Sequence, residues 1–157
     1  MRTLMRVATP LLVVAAIGCG GDNTGPNGQT NGDMTAKIDG ASFTSVTTLA
    51  QRNVTNAGTI IAVSGADSHG LGLGFAFQDA GVGTYQIGGL TPTNATVLDG
   101  TGKVWMASAI GGSGTLTVTA LDATHVAGTF AYSAVASAQS GATGTKAVTQ
   151  GVFDVNF

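Results

Sequence analysis

Regular turn signals divide the chain from residue 34 onward into short segments, and this spacing limits the folds that it can adopt. Asp39-Gly40 and the stretch 99–102 are two such signals, and others recur at intervals of roughly 8 to 14 residues with β-type runs between them. No segment shows a convincing helical period. The spacing predicts an all-β domain, either an antiparallel β-sandwich or a small closed barrel of about ten short strands.

The segment 70–77 has two contrasting faces. Its large side chains fall on one face and only glycine and alanine fall on the other: Leu71, Leu73, Phe75 and Phe77 against Gly70, Gly72, Gly74 and Ala76. The large face belongs to the core. The small face predicts either a bulky neighbour packed over it or a flat platform for a ligand.

Residues 1–18 have the features of an export signal. Arg2 and Arg6 supply a positive start, and an apolar segment over residues 7–17 follows. This segment is shorter than the roughly 20 residues that a spanning helix requires. We therefore set residues 1–18 apart as a signal peptide and assign them no part in the fold.

The end of this signal, Ala16-Ile17-Gly18-Cys19, resembles the lipobox of bacterial lipoproteins. The resemblance implies cleavage between Gly18 and Cys19 and acylation of Cys19 with palmitate or a similar chain. The lipid bilayer is then a partner, and the location is the bacterial cell envelope. Gly20 follows the cysteine where aspartate would suggest inner-membrane retention, so the outer membrane is favoured. An ordinary secretory signal with a chance cysteine is the alternative.

Residues 19–33 form a polar linker between Cys19 and the domain at 34–157. Glycine, asparagine and other small polar residues dominate it, and such a segment cannot bury enough apolar surface to offset its ordering entropy. As a flexible coil it spans about 20 Å, and fully extended about 45 to 50 Å. We expect it to act as a flexible spacer.

Charge excludes some partners. Loss of Arg2 and Arg6 leaves four cationic residues against eight aspartates, a net charge of −4. A mildly acidic domain has no electrostatic footprint for nucleic acid. Cys19 is the single cysteine of the chain, so no disulfide can form within it. We expect no cofactor.

Three stretches of the domain together resemble a group of small bacterial lipoproteins whose function is unassigned. They are "AKIDGASF" at 36–43, "GTLTVTALDATHVAGTFAYSA" at 114–134 and the closing "GVFDVNF". In that group a hairpin is followed by a G-T-F-x-aromatic-Ser/Thr motif and later by G-x-F-x-V. The resemblance implies an all-β domain on a lipid anchor and carries no activity.

Candidate catalytic and metal residues are few. Asp67, Ser68 and His69 share one turn, whereas a catalytic triad requires side chains that converge from separate elements. A weak metal site would combine Asp67 and His69 with Asp122 and His125, provided that two loops meet at one end of the domain. We therefore expect no enzyme, and a small hydrolase is the least favoured alternative.

Aromatic residues offer the best ligand-binding candidates, namely Trp105, Tyr85 and Tyr132. If Val104 and Met106 face the core, Trp105 lies on the outer face, where it could stack on a sugar ring or anchor a protein. In the opposite register Trp105 is a core residue. The sequence favours a non-catalytic interaction or structural module that contacts an envelope protein or glycan. A carbohydrate- or metal-binding domain is the alternative.

Overall fold

The computed structural model describes residues 31–157, which form eleven strands and one 3-10 turn. In chain order these are β1 (Gly32–Ile38), β2 (Ala41–Thr44), β3 (Thr47–Thr55), β4 (Gly58–Ala66), β5 (Gly72–Gln78), β6 (Gly83–Ile87), β7 (Asn94–Leu98), β8 (Val104–Ala107), β9 (Ser113–Leu121), β10 (His125–Ala136) and β11 (Thr145–Asn156), with the turn at Ala138–Ser140. The predicted all-β class is confirmed.

The predicted signal peptide, Cys19 and the predicted linker as far as residue 30 lie outside the described residues. β1 begins at Gly32, so Gly32 and Asp33, which the sequence placed in the linker, belong to the first strand. Residues 31–157 contain no helix whose length and hydropathy would let it cross a bilayer.

All neighbouring strands pair antiparallel in one curled sheet with the order β2-β1-β11-β10-β8-β7-β5-β4-β3. The long strand β10 divides this sheet. Its segment 126–133 pairs with β9, whereas Val135 and Ala136 pair with β8. β6 pairs with the other side of β9 and completes a short branch. The result is a half-barrel with a two-stranded flap.

A bend between β2 and β3 brings the two edge strands of the sheet together. β2 pairs with β1, and at the bend the Ser45 amide donates to the Met34 carbonyl at 2.9 Å. The next amide, from Val46, donates to the carbonyl of Ala66 at the end of β4. The chain thus leaves one edge strand and becomes the other, which curls the sheet around its core.

The core is formed by the inward residues of every strand, as the strict alternation of β10 illustrates. Its centre is aromatic. The ring centroid of Phe75 lies 4.9 Å from that of Phe153 and 5.3 Å from that of Phe130. Such tilted arrangements add to the free energy gained from burial alone.

Two glycines make this aromatic centre possible. In the β10–β11 register Gly128 stands opposite Phe153, and Gly151 stands opposite Phe130. A Cβ added at Gly128 would come within 2.9 Å of the Phe153 ring, and one at Gly151 would overlap the Phe130 ring. Each phenylalanine therefore lies over the glycine of the other strand.

Seven of the ten connections between the eleven strands fall at two ends of the sheet, which we name after their aspartates. The Asp39 end carries the β1–β2, β4–β5, β7–β8 and β10–β11 connections. The Asp122 end carries the β3–β4, β5–β6 and β9–β10 connections. Arg52 of β3 crosses the Asp122 end, where Nη2 donates to the Asp122 carbonyl at 2.8 Å and the guanidinium stacks 4.5 Å above the Phe157 ring.

Candidate functional site

Three aspartates of the loops close their own turns. Asp99 Oδ1 accepts hydrogen bonds from the amides of Thr101 and Lys103, both at 2.9 Å. Asp67 Oδ1 likewise accepts from two amides of its turn, and Asp122 Oδ1 accepts from the amide and the hydroxyl of Thr124. At Asp99 desolvation raises the pKa of the carboxyl, but the hydrogen bonds from Thr101 and Lys103 together lower it below its ordinary value. At Asp122 the hydrogen bonds from Thr124 lower the pKa of the carboxyl. These shifts run opposite to those that a general acid requires.

The four candidate metal residues lie at opposite ends of the sheet. Asp67 and His69 belong to the Asp39 end, whereas Asp122 and His125 belong to the Asp122 end. The twelve residues of β10 alone span roughly 35 Å between these ends. His125 Nε2 instead lies 2.7 Å from Asp154 Oδ1. In the part of the chain that the structure describes, no three His, Cys, Asp or Glu side chains cluster as metal ligands would.

The turn at Asp67, Ser68 and His69 does not have the geometry of a catalytic triad. Ser68 Oγ lies 3.3 Å and Asp67 Oδ2 lies 3.7 Å from the same ring nitrogen, Nδ1 of His69. In a triad the nucleophile and the orienting carboxylate contact opposite nitrogens of the imidazole. The His69 side chain is also largely exposed to solvent.

The three aromatic candidates are separate from one another. Trp105 is 5% exposed and its Nε1 donates to the Thr143 carbonyl at 3.1 Å, so β8 has the register that places the indole in the core. Tyr132 is 4% exposed and donates to the Thr96 carbonyl. Tyr85 packs on Phe77 and donates to a loop carbonyl. None of the three is an exposed stacking surface.

Trp105 nevertheless lines a cavity of about 340 Å³ at the Asp39 end. Its lining combines the apolar side chains of Ile38, Leu71, Val97 and Trp105 with the polar residues Asp39, Ser42, Asp99 and Lys146. We call it the mouth cavity. It is the place in the fold where apolar walls and convergent polar groups of the Asp39 end meet, as ligand sites in β-barrel mouths require.

An ion pair lines the mouth cavity, with its ammonium over the indole. Lys146 Nζ lies 5.2 Å from the Trp105 ring centroid and donates to Asp39 Oδ2 at 2.7 Å. The hydrogen bond from Lys146, followed by one from the Ala147 amide, lowers the pKa of Asp39. Lys146 could not be identified from the sequence because 107 residues separate it from Asp39, and the Asp39-Gly40 turn was the one local signal.

The burial of Trp105 has a spectroscopic consequence. We expect its emission to be blue-shifted from that of free indole and poorly quenched by acrylamide. Lys146→Ala should increase the quenching, since it removes the ammonium that covers the ring. Lys103→Ala alters an exposed lysine of the same end and should leave the quenching unchanged. An emission maximum near that of free indole would contradict the buried position.

The small face of β5 is open. Gly72 and Gly74 form the floor of an outer groove of about 480 Å³, whose walls include Leu49, Ser64 and Leu98. A Cβ added at either glycine would meet its neighbours at ordinary distances of 3.5 Å or more. The bulky covering residue that the sequence left as one interpretation is therefore absent among residues 31–157.

Comparison with known proteins identifies the domain without assigning an activity. No match was found among curated proteins or among solved structures. Residues 30–155 match a family described as "Domain of unknown function (DUF6252)", and this range contains all eleven strands except the last residue of β11. The chain therefore belongs to the DUF6252 family.

Proposed function

We propose that this protein is a lipid-anchored lipoprotein of the bacterial cell envelope whose all-β domain acts as a non-catalytic interaction or structural module. The observation that carries the anchor is the motif Ala16-Ile17-Gly18-Cys19 at the end of an apolar segment. The family match starts at residue 30, so a polar spacer separates Cys19 from the domain. Gly20 favours the outer membrane.

The non-catalytic role is supported by the way the polar side chains are used. Asp67, Asp99 and Asp122 close turns, and Asp39 pairs with Lys146. Side chains occupied in this way hold loops in place and have little capacity left for proton transfer. A domain of this kind presents a rigid surface, and its anchor keeps that surface at a membrane.

Replacement of the lipidated residue tests the anchor. Cys19→Ser should abolish incorporation of labelled palmitate and move the protein out of the membrane fraction or stall it as a precursor. The reason is that each buried methylene contributes about 0.8 kcal/mol, and two or more chains are needed for stable anchoring. Thr24→Ser, a matched change in the spacer, should retain label and membrane association. Unchanged membrane association of the Cys19→Ser protein would refute the anchor.

A glycan is the second candidate, and the mouth cavity is the observation that favours it. A sugar ring that displaces Lys146 would meet the Trp105 indole and the Asp39 carboxylate. Titration with mono- and disaccharides should then shift Trp105 emission, and Trp105→Phe should remove the response. A protein whose emission does not change over millimolar sugar has no such site.

A further inference from the structure

Two large apolar side chains stand free of the domain on neighbouring loops. Leu90, in the β6–β7 connection, has a relative exposure of 102%, and Ile110, in the β8–β9 connection, has one of 88%. Single exposed apolar residues are common on protein surfaces. Both lie in loops, and each exposes most or all of its apolar area to water.

The two loops pack against each other. A Cβ added at Gly88 would lie 2.6 Å from the carbonyl oxygen of Gly112 and 3.3 Å from that of Ser108. Gly88 and Gly112 also have positive φ angles of 84° and 76°, which other residues rarely adopt. Close approach and backbone conformation therefore both require glycine where the loops meet.

Each loop is also held rigid. Ser108 and Gly111 exchange two backbone hydrogen bonds, which leaves Ala109 and Ile110 at the tip of a tight turn. In the other loop Thr91 Oγ1 lies 2.8 Å from the carbonyl oxygens of both Gln86 and Gly88. These hydrogen bonds hold the backbone of both loops while Leu90 and Ile110 remain exposed.

The lack of charge in these loops and the length of the spacer both favour the lipid bilayer as their partner. Residues 88–93 and 108–112 contain no charged side chain, so they lose no ionic hydration on entering an apolar phase. The stretch from Gly20 to Asn31 reaches about 40 Å when extended. A spacer of this length lets the domain turn its flank toward the bilayer that holds Cys19.

We infer that the loops 88–93 and 108–112 form a membrane-contact site that inserts Leu90 and Ile110 into the lipid surface. The inference rests on the proposed anchor, which keeps the domain at high effective concentration beside the bilayer. Two inserted side chains contribute only modest membrane affinity by themselves. Their insertion therefore adds to the affinity of the anchor and orients the domain on the bilayer. It requires no anionic lipid, since the loops are uncharged.

Depth-dependent quenching tests the site. The full chain is expressed in a lipidating bacterial host and reconstituted into phosphatidylethanolamine–phosphatidylglycerol vesicles with or without brominated acyl chains. Leu90→Cys, Ile110→Cys and the control Val54→Cys each carry an environment-sensitive fluorophore; Val54 is 83% exposed on β3, at the Asp122 end. Brominated lipid should quench the probes at 90 and 110 roughly threefold or more above the probe at 54.

The parent protein separates failure of the anchor from failure of the inference. The parent protein has no thiol for the fluorophore to label when Cys19 is acylated. If this parent protein floats with vesicles, the anchor is supported. If such a protein shows equal quenching at all three positions, the membrane-contact site is refuted. A blue shift at 90 and 110 without quenching by brominated lipid also refutes it and indicates a protein contact. Phosphatidylcholine vesicles should give the same result as the anionic mixture.

A second variant guards against misfolding. Leu90→Ser should leave the unfolding midpoint unchanged because the side chain is fully exposed, and it should reduce quenching of the probe at Ile110→Cys. Undiminished quenching would overturn the role of Leu90.

Discussion

Gly128→Ala should lower the free energy of unfolding by about 3 kcal/mol or more, as measured by urea denaturation. The added methyl would overlap the Thr117 carbonyl oxygen on β9 and lie 2.9 Å from the Phe153 ring. Backbone on one side and the aromatic centre on the other leave it no direction in which to relax. Gly151→Ala should have a similar effect, since its methyl would lie 2.6 Å from the Phe130 carbonyl oxygen and overlap that residue's ring.

Gly74→Ala is the matched control. It also places a methyl on a strand glycine, but this one faces the open outer groove with its nearest neighbour at 3.5 Å. Because alanine loses less backbone entropy than glycine on folding, the change should be neutral or should stabilise by up to about 1 kcal/mol. Equal destabilisation at positions 74 and 128 would contradict the assignment of outer and inner faces.

Alkaline pH should destabilise the fold through Tyr132. Burial raises the pKa of this phenol far above its ordinary value, and its hydroxyl donates to the Thr96 carbonyl at 2.9 Å. Above a pH of about 10 the unfolded chain releases this proton and the folded chain retains it. Stability from this group is therefore fully present below about pH 10 and is lost progressively as the pH rises above it, by on the order of 1 kcal/mol per pH unit.

Tyr132→Phe isolates this contribution. The variant should be less stable at pH 8 by about 1 kcal/mol, because the Thr96 carbonyl loses its hydrogen bond. Its stability should then fall less steeply from pH 10 to 12 than that of the parent. Both proteins contain the same lysines, so lysine titration contributes equally to the two profiles. Parallel pH profiles for the two proteins would show that Tyr132 ionises freely in the folded state.

The fold class followed from the turn signals because several β-runs end at residues that close a tight turn by themselves. Asp99 is an example, since its carboxylate binds amides two and four residues ahead. The resemblance motifs also have a physical basis in the structure. Gly128 and Phe130 from one motif pair with Phe153 and Gly151 from the other.

The register of Trp105 could not be predicted because both faces of β8 are apolar. Trp105 and Ala107 face inward, yet Val104 and Met106 are only partly exposed on the outer face. A four-residue strand with apolar residues on both faces gives no alternation from which to choose. The mouth cavity could not be predicted from the sequence for a different reason. Its walls come from segments that are brought together only by the curl of the sheet.

The pairing of β1 with β11 determines when this sheet can form. Ile38 of β1 stands opposite Val148 of β11, so this contact joins segments more than a hundred residues apart in the chain. Until β11 emerges, β1 has β2 as a partner in the sheet and β10 has β8 and β9. Long-range strand pairing of this kind is slow. The β1–β11 pairing therefore forms late in folding, after local hairpins such as β3–β4 and β9–β10 have had time to form.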